Sequence, residues 1–166
     1  MKPYYQDEWV TIYHGDCREI LPELPEVDLV VTSPPYNLGK SYEQKVSLDE
    51  YASEQRKTIE ACCDILSSTG SICWQVGTYI VGKGKAKEAF PLDIILYPIF
   101  KSLGLILRNR IVWHFGHGLH ETVRFSGRHE TILWFTPNSY VFNLDPVRVP
   151  QKYPGKKAYK GPNEGE

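Results

Sequence analysis

The segment Thr32-Ser33-Pro34-Pro35-Tyr36 holds the residue types in this chain best suited to chemistry. It follows Asp28-Leu29-Val30-Val31, an apolar run that predicts a buried strand. Ligands of open α/β sheets bind beyond the carboxyl ends of the strands. Each proline fixes φ and removes an N–H donor, and Pro35 also biases Pro34 away from the helical region. The segment therefore cannot run straight into a helix. It holds backbone carbonyls outward, with a hydroxyl on one side and an aromatic face on the other. That set suits a planar ring carrying an exocyclic amino group. The amino hydrogens need acceptors and the ring needs a stacking partner. The plainer alternative is a Pro-Pro turn with Tyr36 lying on the surface.

Other candidate groups are weaker. Asp16 follows a strand-like run and precedes a helix-like one, which predicts an N-cap accepting N–H bonds of the first turn. His114, His117 and His120 fall three apart in a Gly-rich loop, with Glu121 the only nearby carboxylate and no thiolate, so no metal is assigned to them. Gly82-Lys83-Gly84-Lys85 lacks the spacing of a phosphate loop. Trp74, Trp113 and Trp134 lie in strand-like runs and are expected in the core.

Positioning these groups requires alternating strands and helices. Residues 9–14 alternate β-branched and aromatic types and predict a first strand, followed by a short helix over 17–24 that Pro25 stops. Residues 28–32 predict the second strand and 33–47 a polar loop. A helix over about 48–67 follows from Leu48, Tyr51, Ala52, Ile59, Cys62, Cys63 and Leu66 on one face, with Thr69-Gly70 as its end. Residues 71–76 predict a third strand and the Gly- and Lys-rich stretch 77–91 a loop. Leu92, Ile95, Leu96, Ile99, Phe100 and Leu103 predict a helix ending at Gly104. Strands are expected over 107–115 and 129–135, joined by a polar loop. From Asn138 onward periodicity is lost, and an extended tail rich in Pro and Gly is expected. The alternation implies an α/β sheet.

The 166 residues suffice for one domain with a single core. No apolar stretch approaches the length of a membrane span, and the N-terminus has no apolar signal segment. Cys17, Cys62, Cys63 and Cys73 include no Cys-x-x-Cys pair and are expected to be reduced, buried thiols of a cytoplasmic protein. The net charge of −1 conceals an asymmetry. Residues 1–100 carry 9 basic and 15 acidic groups, whereas residues 101–160 carry 10 basic and 3 acidic. Arg108, Arg110, Arg124, Arg128, Arg148, Lys152, Lys156, Lys157 and Lys160 supply most of the excess. A basic half on a near-neutral chain fits contact with a polyanion, or else a solvated surface without a partner.

The run Tyr13-His14-Gly15-Asp16, the short helix, and then Asp28 through Ser33-Pro34-Pro35-Tyr36-Asn37 together resemble the amino-methylating DNA methyltransferases. These transfer a methyl group to N4 of cytosine or N6 of adenine, and their catalytic motif is Asp, Asn or Ser, then Pro-Pro and an aromatic. The resemblance runs from about Trp9 to about Pro162. It implies a Rossmann-like α/β fold, S-adenosylmethionine as cofactor, and DNA as partner, within a restriction–modification or related system. It implies that Ser33 Oγ and the Pro34 carbonyl accept the amino hydrogens, that Pro35 stiffens the turn, and that Tyr36 stacks on the flipped base. Asp16 would contact the adenosine part of the cofactor. Arg124, Arg128, Lys152, Lys156 and Lys157 are the expected DNA contacts. Serine at the first motif position leans toward cytosine N4. The absence of a Pro-Cys setting argues against carbon-5 methylation.

The resembling enzymes carry a second motif, an aromatic with Gly-x-Gly after a strand, that holds the cofactor. No such motif is identified in this chain, so the resemblance is expected to cover the catalytic half only. The division expected is 1–137 for a partial catalytic domain and 138–166 for a basic tail leading toward a truncated target-recognition region. The family's sheet has strand order 3-2-1-4-5-7-6, with residues 9–14 as strand 3 and 28–32 as strand 4. Strands 1 and 2 would be missing and strand 4 left with a bare edge. A complementary polypeptide or self-association is then expected. Two alternatives stand beside the enzyme: a truncated or split DNA-binding subunit without catalysis, and the same chemistry directed at RNA bases or protein amides.

Overall fold

The computed structural model describes residues 1–118 and 120–150. In chain order it contains β1 (Tyr5–Gln6), β2 (Thr11–Ile12), α1 (Cys17–Ile20), β3 (Val27–Thr32), α2 (Leu48–Asp64), β4 (Leu66–Val76), β5 (Thr78–Val81), β6 (Glu88–Pro91), α3 (Leu92–Ser102), β7 (Ile106–His114) and β8 (His129–Thr136). Short 3-10 turns occur at Leu21–Glu23, Gly84–Ala86 and Asp145–Val147. The main sheet has order β3-β4-β8-β7. β3 and β4 are parallel and joined by α2. β8 runs antiparallel to both neighbours, so β7 points the same way as β3. Equating β3 with strand 4, this is the 4-5-7-6 half of the order expected above.

Both longer helices cover one face of this sheet. β4 alternates strictly, burying Ile72, Trp74 and Val76, and β8 adds Leu133 and Phe135. α2 contributes Tyr51, Ile59 and Cys62, and α3 contributes Leu92, Leu96, Ile99 and Phe100. Phe100 stacks on Phe135 at 4.3 Å between centroids and meets Trp74 edge-on at 5.6 Å. The opposite face is much barer: Leu29, Val31 and Trp113 expose 56%, 70% and 57% of their surface. Trp113 is therefore not in the core, because its β7 position points away from the helices. Trp134 also lies on that side. It donates to Ser71 Oγ at 3.1 Å and packs against Tyr140 and Phe142, so the chain after β8 straps across part of this face.

Several boundaries differ from the sequence expectation. Residues 9–14 do not join the main sheet. Only Thr11–Ile12 is a strand, paired with Tyr5–Gln6, because Asp7 Oδ1 accepts the N–H groups of Trp9 and Val10 and turns the chain into a hairpin. α2 ends at Asp64 rather than near Thr69-Gly70, and β4 begins at Leu66. Gly70 is a buried strand residue: a Cβ there would meet Leu66 Cδ1 at 2.8 Å and the Asp28 carbonyl at 3.1 Å. The stretch 77–91 is a β-hairpin, β5 with β6, not an irregular loop. Its β-branched Thr78-Tyr79-Ile80-Val81 run carried that signal, and the glycines belong to the turn, where Gly82 has φ +82°. α3 ends as expected, with Gly104 at φ +81° donating to Lys101 O.

α2 starts where Ser47 Oγ accepts the Glu50 N–H at 3.2 Å, with Asp49 and Glu50 in the first turn. Ser47→Ala should lower stability by about 1 kcal/mol, read as a shift in denaturation midpoint with unchanged slope.

Candidate active site at the end of β3

β3 stops at Thr32 because Pro34 and Pro35 cannot donate to a ladder. The chain then turns through Tyr36 to Asn37, which sits in the left-handed region at φ +60°. Asparagine tolerates that conformation better than most residues. Its side chain is buried and clamps the loop shut. Asn37 Oδ1 accepts the Val46 N–H at 2.8 Å, and Asn37 Nδ2 donates to Val46 O at 2.9 Å. Glu43 adds a second clamp, accepting the N–H groups of Asn37, Leu38 and Lys40 at 2.9, 2.8 and 3.3 Å. The Ser-Pro-Pro-Tyr turn is thus held from both ends. Sequence reading missed Asn37 and Glu43. The available signal was an Asn after a strand-ending motif with an acid six residues on.

Ser33, Pro34, Pro35 and Tyr36 line a cleft of about 340 Å³, with Tyr42 as a further wall. That is the lower part of the size range of ligand sites. Ser33 Oγ lies 3.1 Å from the Tyr36 hydroxyl. The Tyr36 hydroxyl donates to Glu130 Oε2 at 3.2 Å, and Gln75 Nε2 donates to the same oxygen at 2.6 Å. Glu130 comes from β8 and Gln75 from β4, on the barer face of the sheet. Neither was singled out from sequence, since each is one of several polar residues in its strand and no local pattern links it to the motif. Burial raises the Tyr36 phenol above its ordinary range; a hydrogen bond from Ser33 opposes this, and the nearby Glu130 charge adds to it.

The Tyr36 ring owes its place to Gly77. A Cβ at Gly77 would lie 3.0 Å from both Tyr36 Cδ2 and Cε2. Gly77→Ala should displace the ring by a few tenths of an ångström and, in the function proposed below, lower turnover about 10-fold while the fold is kept. Steady-state kinetics beside a circular dichroism spectrum would check this.

Asp16 caps α1, accepting the Arg18 N–H at 2.9 Å. The Arg18 guanidinium also grips it, at 2.6 Å, and holds its carboxyl down at about 2. Arg18 reaches on to Glu54 of α2 at 2.6 Å. The capping role is thus observed.

The basic half of the chain is partly engaged internally. Arg110 pairs with the buried Asp93 of α3. Arg108 donates to Thr136 Oγ1, Pro137 O and Asn138 O and lies over the Tyr140 ring at 4.2 Å. Arg124 pairs with Glu121 at 3.0 Å, and Lys87 joins the same carboxylate at 3.1 Å. Arg124 Nε and Arg128 Nη1 are buried without a hydrogen-bond partner among the described residues. Lys152, Lys156 and Lys157 lie outside the described residues.

An aromatic with Gly-x-Gly does follow a strand in this chain, contrary to the sequence reading. It is Phe115-Gly116-His117-Gly118, directly after β7. It stands at the far edge of the sheet from β3, with β4 and β8 between. Cys17 is exposed, whereas burial pushes the Cys62 thiol up to about 12 and the Cys63 thiol up to about 11, and raises that of Cys73. Among the described residues no helix is long and apolar enough to cross a membrane.

Comparisons with known proteins show the family and the fold. A family profile described as DNA methylase, covering N6 and N4 enzymes, matches residues 27–166. The type II methyltransferase M.BglII of Bacillus subtilis is 54% identical over 158 residues, covering 93% of this chain and 43% of that protein. M.ScaI of Streptomyces caespitosus is 38% identical over 161 residues, covering 94% of this chain and 51% of that protein. The chain thus spans about half the length of the curated relatives it matches. Among solved structures, PvuII DNA methyltransferase, cytosine-N4-specific, superposes with a TM-score of 0.68 at 21% identity, over 84% of this chain and 53% of that one. The Thermus thermophilus protein TTHA0409, complexed with S-adenosyl-L-methionine, superposes with a TM-score of 0.64 at 27% identity, over 82% and 61%. The fold is that of the Rossmann-like S-adenosylmethionine-dependent methyltransferases. Because the profile runs from the start of β3 through the whole main sheet, and a relative sharing over half its residues aligns with nearly the whole chain, this protein belongs to the N6/N4 DNA methylase family.

Proposed function

We propose that this chain carries the base-binding and catalytic part of a DNA methyltransferase that modifies an exocyclic amino group. The carrying observation is the Ser33–Tyr36 turn at the end of β3, held against Glu130 and opening on a cleft. An exocyclic amino nitrogen is a poor nucleophile because its lone pair is delocalised into the ring. Ser33 Oγ and the Pro34 carbonyl accept its hydrogens and steer it toward a tetrahedral, nucleophilic geometry. Removing the base from the helix costs a few kcal/mol. Stacking on Tyr36 returns about 1–3 kcal/mol of that. The nitrogen would form its bond to the methyl group as the methyl–sulfur bond of the sulfonium donor breaks and a neutral thioether leaves, and it would give up one proton to solvent.

The acceptor set at 33–36 fits the amino end of a base, and the methyl donor has to approach from the side of the nitrogen that these residues leave free. S-adenosylmethionine, when bound, supplies an electrophilic methyl group. Asp16 would hold its adenosine part. Serine at position 33 favours cytosine N4 over adenine N6. Arg124 and Arg128 are the residues of the described part of the chain assigned to the DNA backbone in this reading. The test is transfer of labelled methyl groups to DNA, with the modified nucleoside identified by mass spectrometry. N4-methylcytosine supports the full reading. N6-methyladenine alone overturns the base assignment, and transfer to RNA but not DNA overturns the substrate class.

A second polypeptide is favoured by one further observation. Among the described residues β3 is an edge strand of the main sheet, and its Leu29 and Val31 are exposed on the barer face. An apolar edge of this kind associates. Sedimentation of the purified chain should give self-association, or a complex when the complementary part of a relative is added. A monodisperse, thermally stable monomer that ignores that partner overturns this part.

A further inference from the structure

We infer that Glu130 is a positioning residue that sets the direction of the hydroxyl chain through Tyr36 to Ser33, leaving Ser33 Oγ an acceptor toward the base. The inference rests on the function proposed above and assigns a residue that neither the motif nor the family match singles out. A carboxylate oxygen only accepts hydrogen bonds, and Glu130 Oε2 faces two donors, Gln75 Nε2 at 2.6 Å and the Tyr36 hydroxyl at 3.2 Å. The Tyr36 hydroxyl has one proton, and it is spent on Glu130. At the 3.1 Å contact with Ser33 Oγ, Tyr36 must then be the acceptor, and the Ser33 hydroxyl must donate. That leaves the lone pairs of Ser33 Oγ turned to the cleft with no proton between them and an incoming amino group.

Chemistry requires that direction. A serine hydroxyl free to rotate can donate to a ring atom of the base as readily as it accepts from the amino group. Fixing its proton on Tyr36 removes the unproductive orientation. Gln75 holds the carboxylate from the neighbouring strand, so the chain starts on two rigid elements, β4 and β8. Burial of the phenol keeps Tyr36 protonated, as the role demands.

Kinetics and a tyrosine titration test this together. Glu130→Ala removes the terminal acceptor, so turnover should fall roughly 10- to 100-fold while KM for DNA changes less than about twofold. Glu130→Gln should stay within about threefold of the parent, because an amide oxygen can take both donors. Adding Glu130→Ala to Tyr36→Phe should cost almost nothing further, since the chain is already cut. In the full chain carrying 13C-labelled tyrosine, the Tyr36 signal, identified by its loss in Tyr36→Phe, should titrate at lower pH in Glu130→Gln, because the neighbouring charge is gone. An unmoved Tyr36 titration overturns the proposal without reference to activity, and so covers the case in which Glu130→Ala does not fold. Full turnover in Glu130→Ala overturns it as well. A shifted titration in a parent protein that transfers no methyl group instead sinks the function proposed above, and leaves the hydroxyl chain standing.

Discussion

Ser33→Ala should lower methyl transfer by roughly 10²- to 10³-fold, the usual effect of losing one preorganised hydrogen-bond partner at a reacting centre. The variant keeps the Pro-Pro turn and the Asn37 and Glu43 clamps, none of which uses the serine hydroxyl. Its fold should therefore be unchanged, and so should its affinity for DNA, since one neutral hydroxyl contributes little to binding. Tyr36→Ala should behave differently. It removes the stacking surface as well as the hydroxyl, so base capture weakens by about 1–3 kcal/mol in addition to any loss in turnover. Single-turnover kinetics with enzyme in varied excess over DNA separates the two effects, the plateau rate reporting transfer and the half-saturation reporting capture. If both variants keep full methyl transfer and unchanged DNA affinity, the site is misassigned.

Phe100→Ala should be the most damaging change outside the site. Phe100 is fully buried, stacked on Phe135 and edge-on to Trp74, and so joins α3 to both central strands of the sheet. Truncation removes the transfer free energy of a large aromatic and leaves a cavity between fixed partners, a loss of about 3–5 kcal/mol. Against a total stability of ~5–15 kcal/mol for a domain, that is enough to unfold much of the population at moderate temperature. Chemical denaturation checks it, with Ile94→Ala on the exposed side of the same helix as a control expected to change little. A loss below about 1 kcal/mol for Phe100→Ala would mean that α3 is not packed against β4 and β8 as described.

How the chain's parts became legible differs from residue to residue. The second strand, its Pro-Pro stop and the turn through Tyr36 are readable because they rest on local rules. Proline has no N–H, and an apolar run of that length with such an ending has few other conformations. α3 was readable for the same reason: its apolar positions recur at helical spacing, and Gly104 can take the positive φ that ends it. The hairpin over 78–91 is less legible because Gly82, Gly84 and the lysines around them have the composition of a loop, although a β-branched run precedes them. Residues 9–14 carried strand propensity yet pair only with their own hairpin, since propensity does not choose a partner.

What the sequence by itself determined, then, is the chemistry on offer: a hydroxyl, a carbonyl and an aromatic on a rigid strand end, within an α/β chain. Only the tertiary structure decided how that chemistry is oriented. Glu130 is 94 residues from Tyr36 in the chain, Gln75 lies on a different strand again, and no local rule links either to the motif. They meet it because β8 inserts beside β4, and the pleat turns both side chains to the face on which Tyr36 lies. Likewise, Arg108, Arg110 and Arg124 of the basic half have partners within the chain, and Trp113 faces outward because of the side of β7 on which it falls. Residue type is written along the chain, whereas direction and company depend on strand order and register.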